Sequence, residues 1–180
     1  MIGVAEAEAR LAGMSAKRAA HARRVADECA GLAALFGADA GLARLAGLLH
    51  DVCREWPPEA LLEAAARHGI PVGLLEGAQT VALLHGPVAG AELEAAGLPA
   101  AAARAIALHT VGAAGMSTLE KCLYLADFCE PGRAFPGVDE VRRLAATSLD
   151  DAVAEAARMS LGSLDRKSTR LNSRHRIRSR

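Results

Sequence analysis

The apolar part of this chain is drawn mostly from Ala and Leu, in runs broken by Gly and Pro. Hydrophobic residues make up 52% of it and aromatics only 3%. Ala and Leu are strong helix formers, and Gly and Pro punctuate helices. The chain therefore predicts an all-α fold, and its 180 residues fit one domain with a sizeable core.

Local signals divide that fold into segments. Ser15 is placed to cap a helix running to Phe36 and stopping at Gly37, with Ala22, Val25, Ala26, Cys29, Leu32 and Ala33 at helical spacing. A second helix is expected over 40–53, before Trp56-Pro57-Pro58. The prolines open a third, which stops at His68-Gly69. Residues 71–76 read as a turn or short helix, and further helices are expected over 81–96 and 99–110. Ser117-Thr-Leu-Glu120 has the form of a capping box and predicts a helix over 118–129. The last two helices are expected over 138–146 and 149–164, with Ser148 as the N-cap of the second. Trp56 and Tyr124 read as packing residues, and Asp139 and Glu140 as acids at a helix N-terminus.

The formal charge of zero conceals an asymmetry. Residues 165–180 hold seven Lys/Arg and one acid, which leaves 14 basic and 20 acidic residues, a net of about −6, for the body. An acidic body lacks the basic footprint of a nucleic-acid binder, so no nucleic-acid partner is expected. The absence of an apolar run of about 18 residues argues against a membrane span, and the start lacks a signal-peptide pattern. A cytoplasmic location is the expectation. Cys29, Cys53, Cys122 and Cys129 form no Cys-x-x-Cys pair and read as small buried hydrophobes.

The chemistry concentrates in polar residues set within apolar helices. His50-Asp51 closes the run Leu45-Ala-Gly-Leu-Leu. Taken alone, the pair reads as an ordinary helix terminus. However, His21, His85, His109 and Asp127 are also embedded among aliphatic neighbours. Burying one such group without a partner is costly, and a metal removes that cost for Asp and neutral His. Four histidines and two carboxylates in such settings point to convergence on one site.

The order His21, His50-Asp51, His85, His109, Asp127 resembles the HD superfamily. The surrounding text is similar to its YqeK-type symmetrical diadenosine tetraphosphate hydrolases. The runs that carry the likeness are His50-Asp-Val-Cys-Arg54, His85-Gly-Pro-Val-Ala-Gly90, His109-Thr-Val-Gly-Ala-Ala-Gly-Met116 and, most specifically, 119–142. The resemblance implies an HD-domain helical bundle with a central metal site. His21, His50, Asp51 and Asp127 would be ligands of one or two divalent or mixed-valent transition metal ions, with iron the family's ion. His85 and His109 would complete a second metal site or face phosphate, and Arg18, Arg54 and Arg133 would meet the substrate's phosphates. The catalytic set would be His50, Asp51, Arg54, His85 and His109. Where Arg54 stands the family commonly has Lys, which preserves the charge in a different geometry.

The expected organisation is an N-terminal extension (1–14), the HD domain (15–164) and a basic tail (165–180) that reads as disordered, non-native read-through replacing the family's C-terminal segment. The expected reaction is metal-dependent cleavage of diadenosine tetraphosphate to two ADP. The expected partner is a nucleotide substrate, with a homodimer left open. Another HD-type nucleotide phosphohydrolase or phosphodiesterase, or a non-catalytic nucleotide-binding helical module, are the competing readings.

Overall fold

The structure is a computed structural model that describes residues 2–72 and 78–162. The expected turn at 71–76 lies mostly, and the basic tail wholly, outside the described residues. Among the described residues, ten segments of α-helix follow one another: α1 (Val4–Leu11), α2 (Ala16–Leu35), α3 (Ala40–Leu49), α4 (Pro58–Arg67), α5 (Ala78–Val81), α6 (His85–Ala95), α7 (Ala100–Leu108), α8 (Thr118–Cys129), α9 (Val138–Ala145) and α10 (149–162). A 3-10 turn over Ala82–Leu84 joins α5 to α6. Among the described residues there is no strand, and no helix is long and apolar enough to cross a membrane.

The caps fall where residue chemistry places them. Ser15 accepts from the Arg18 backbone N–H at the head of α2, and Asp39 accepts from that of Leu42 at the head of α3. Ser117 and Glu120 form the reciprocal capping box of α8. The Ser148 hydroxyl accepts from the Asp151 N–H at the head of α10. Pro58 occupies the first turn of α4, where its missing N–H costs nothing.

Helices α2, α3, α7 and α8 pack together as the centre of the bundle. Helix α6 lies on α7, α4 on α6, α9 on α8, and α1 on α3. Ile2, Ala7 and Leu11 are buried, so the segment before Ser15 adds to the core. The close approaches depend on small residues. A Cβ at Gly47 of α3 would sit 2.5 Å from the Ala26 Cα of α2, and one at Gly90 of α6 would sit 2.6 Å from the Ala103 carbonyl oxygen of α7. All four cysteines are buried and unpaired, as expected.

Two expected helices are shorter or more broken than periodicity suggests. The helix over 40–53 ends at Leu49 and continues as tight turns, with Arg54 N–H donating to the Asp51 carbonyl. The helix over 81–96 contains the 3-10 turn before His85. In both places a histidine ring sits against the carbonyl three residues earlier, Gly47 for His50 and Ala82 for His85, competing with the regular helical ladder.

Candidate metal centre

The six embedded residues meet near the ends of their helices. His21 projects from the second turn of α2; His50 caps the C-terminus of α3, with Asp51 following. His85 opens α6, His109 caps the C-terminus of α7, and Asp127 lies in the last turn of α8. Three helix C-termini thus point their negative dipole ends at one place, a field that favours a cation.

Each imidazole is held from behind. The Nδ1 atoms of His50, His85 and His109 lie 2.7, 2.6 and 2.7 Å from the carbonyl oxygens of Gly47, Ala82 and Ile106. Carbonyls accept only, so each Nδ1 carries a proton, and each Nε2 faces inward, where it can offer a lone pair to a cation. For His21 the anchor is a carboxylate, Glu130 Oε1, 3.1 Å from Nδ1.

Asp51 divides the inward-facing atoms into two groups. Its Oδ2 lies 3.8 Å from His21 Nε2 and 3.4 Å from His50 Nε2. Its Oδ1 lies 3.3 Å from His85 Nε2 and 3.8 Å from His109 Nε2. Asp127 Oδ1 closes the first group, 3.0 Å from His21 Nε2 and 3.9 Å from His50 Nε2. His21, His50 and Asp127 each offer a ligand atom within 4.8 Å of the others, and so do His50, Asp51 and His109.

This donor set fits a transition metal. His50 Nε2 is fully buried and has no hydrogen-bond partner among the described residues. His85 and His109 bring their Nε2 atoms to 3.1 Å, lone pair against lone pair unless a positive charge lies between them. Imidazole and carboxylate together suit iron, zinc, manganese and related ions. Arg18 Nη1 donates to Asp51 Oδ2 at 2.7 Å, and Arg133 Nη2 to Asp127 Oδ1 at 2.7 Å, so the inner carboxylates also draw guanidinium groups.

The electrostatics follow from this crowding. Burial alone would raise the Asp51 carboxyl, but His50, His85 and His109 hold it well below the usual carboxylate range. Asp127 is likewise held low against burial by the His21 ring and neighbouring positive charge. Burial pushes His109 down to about 4, and neighbouring His50 adds to the effect. Burial works against a charge on His50 too, yet the adjacent Asp51 carboxylate leaves it raised.

A groove of about 210 Å³ opens beside the cluster, lined by His109, Thr110, Tyr124, Asp127, Arg133 and Phe135 among others. A larger groove shares Arg133, Phe128 and Phe135 and continues past Gly137 to Arg158 and Met159 of α10. Arg133 stands where the two join. Arg54 Nη1 donates to the Ala82 carbonyl at 3.4 Å, and Arg54 does not line either groove among the described residues.

Two residues at the site carry no role in the sequence reading. Glu130 reads there only as the end of α8, yet it is 1% exposed and holds His21. Its position three residues after Asp127, hence on the same helix face, is the signal that could have found it. Arg142 donates to the carbonyls of Cys129, Glu130 and Arg133 and thereby shapes the loop that carries Arg133.

A family model for the HD domain matches residues 18–176. A symmetrical bis(5'-nucleosyl)-tetraphosphatase of Bacillus subtilis is 42% identical over 139 residues, 76% of this chain and 73% of that protein. One of the same name from Staphylococcus aureus is 34% identical over 149 residues, 81% of this chain and 76% of that one. A crystal structure from Clostridium acetobutylicum, described as a predicted HD superfamily hydrolase involved in NAD metabolism, superposes with a TM-score of 0.85 at 31% identity. It covers 93% of this chain and 90% of that one. The chain belongs to the HD domain family of metal-dependent phosphohydrolases and, within it, to the family of the symmetrical bis(5'-nucleosyl)-tetraphosphatases.

Proposed function

We propose that this chain hydrolyses bis(5'-nucleosyl) tetraphosphates such as diadenosine tetraphosphate, with water breaking the central phosphoanhydride to release two nucleoside diphosphates. The observation that carries this reading is Asp51, whose two oxygens face two separate donor groups beside a groove walled by Arg133. In this reading His21, His50, Asp51 and Asp127 hold the metal, and iron is the ion we favour. His85 and His109 complete a second position or face the phosphates.

A bound transition-metal cation supplies Lewis acidity and lowers the pKa of a water at the centre. The side chains do the rest. Asp51 is held ionised by its neighbours and keeps both oxygens available as acceptors. His109 is neutral near pH 7, so its Nε2 can accept a proton or hold a ligand. Arg133 at the groove junction offers a forked donor to phosphoryl oxygens, and Arg18, paired with Asp51, offers another. Arg54, three residues after Asp51, would meet an outer phosphate. These cations offset the repulsion between an acidic body and a polyanion.

The test is to express the chain, measure its bound metal, and incubate it with diadenosine tetraphosphate while identifying products. Two ADP per substrate is the expected result. ATP with AMP would overturn symmetrical cleavage, and no turnover by metal-loaded protein would overturn the substrate assignment.

A further inference from the structure

Glu130 is the most heavily bonded carboxylate near the centre, and it touches none of the inner oxygens. Its Oε1 meets His21 Nδ1 at 3.1 Å, and its Oε2 accepts from Arg24 Nε at 2.6 Å. Arg24 Nη2 also donates to Oε1, at 3.2 Å, and the Gly132 backbone N–H donates to Oε2. The arrangement is closely fitted: a Cβ at Gly132 would fall 2.7 Å from Arg24 Nε. The side chain of Glu130 is 2% exposed, while that of Arg24 is 42% exposed. The carboxylate is thus fixed from outside by Arg24, from its own chain by Gly132, and acts inward on a single ring.

We propose that Glu130 is a positioning residue that fixes the tautomer and orientation of His21 and strengthens it as a metal ligand. The inference rests on the metal reading above. His50, His85 and His109 are anchored by neutral carbonyls, whereas His21 alone of these four is anchored by a charged group. A charged acceptor bonds about twice as strongly as a neutral one and raises the basicity of the distal nitrogen. His21 lies inside α2, where main-chain carbonyls are engaged in the ladder, so a side chain must supply its acceptor. Arg24 lies three residues further along α2, so one turn of that helix presents both the ring and the cation that steadies its anchor.

Zn²⁺ affinity of the metal-stripped full chain, measured by competition with a chromophoric chelator, tests this without any turnover assay. Glu130→Ala is expected to weaken Zn²⁺ binding roughly 10- to 100-fold. Glu130→Gln keeps an acceptor but loses the charge, and a loss of about 10-fold is expected. NMR of the Zn²⁺-loaded protein should show a slowly exchanging His21 ring N–H, identified by its absence from His21→Ala. It should persist in Glu130→Gln and vanish in Glu130→Ala. If Glu130→Ala does not fold, Glu130→Gln decides by affinity. Wild-type affinity in Glu130→Gln, with His21→Ala clearly weaker, overturns the positioning role while leaving the metal reading intact. Undiminished Zn²⁺ affinity in His21→Ala overturns the metal reading and this inference with it.

Discussion

At the scale of single residues, the centre depends on which atom faces which. Asp51 supplies both of its oxygens, one to His21 and His50 and one to His85 and His109. Asp51→Ala should therefore strip metal from both groups and lower turnover on the order of 10³-fold, the equivalent of several kcal/mol of transition-state stabilisation. Metal content and kcat of the variant check this; a variant that keeps both contradicts the assignment. The cysteines are a contrasting case. Burial pushes Cys53 and Cys129 up to about 12 and Cys122 up to about 11, and raises Cys29 as well. Thiol reagent at about pH 8 should consequently label the native protein slowly and the guanidinium-unfolded chain quickly, since the thiolate is the reactive form. Fast labelling of the native state would show that these thiols are not buried. The six ligand-type residues were legible because each is polar in an apolar run. Glu130 was not, since Glu130-Pro131-Gly132 also reads as a plain helix stop.

At the scale of helices, the site exists because α2 and α3 can approach closely enough for His21 to meet Asp51. Gly47 makes that approach possible, and its carbonyl also anchors the His50 ring. Gly47→Ala would place a methyl against the Ala26 backbone, which has no rotamer with which to yield. A destabilisation of about 1–3 kcal/mol or more is expected from such overpacking, together with weaker metal binding as α3 shifts. Urea unfolding and metal titration of the variant measure both effects, and wild-type values in each would refute the close-contact role. The capping box of α8 shows how much a local signal can carry, since Ser117 and Glu120 set both the start and the register of the helix bearing Asp127. The broken helix before His85 shows its limit. Nothing in the periodicity of 81–96 reveals that the Ala82 carbonyl turns to the His85 ring.

At the scale of the whole molecule, the centre concentrates negative charge in the interior, and stability should report it through pH. Glu130 is drawn down from 4.5 to about 2, with Arg24, the Gly132 N–H and His21 overcoming the opposing effect of burial. Asp51 and Asp127 lie below the usual range as well. Each group binds fewer protons folded than unfolded, so its contribution is complete above about pH 4.5 and is lost as the pH falls towards 2. Metal-free protein should lose stability steadily across that window, and Glu130→Gln should lose it less steeply. Denaturant unfolding at several pH values compares the two slopes, and equal slopes would contradict the assignment.

The sequence by itself determined most of the helices, most of their caps, and which residues carry ligand chemistry, because propensity, capping and an embedded polar group are properties of a few adjacent residues. Only the tertiary structure decided how those residues are shared between the two faces of Asp51, that Arg18 and Arg133 pair with the inner carboxylates, and that Glu130 stands behind His21. His21 and Glu130 are 109 positions apart in the chain, and His21 and Asp127 are 106 apart. Such pairings depend on how α2, α3, α7 and α8 cross, and those crossings are set by side-chain volumes acting together, not by any local run of sequence.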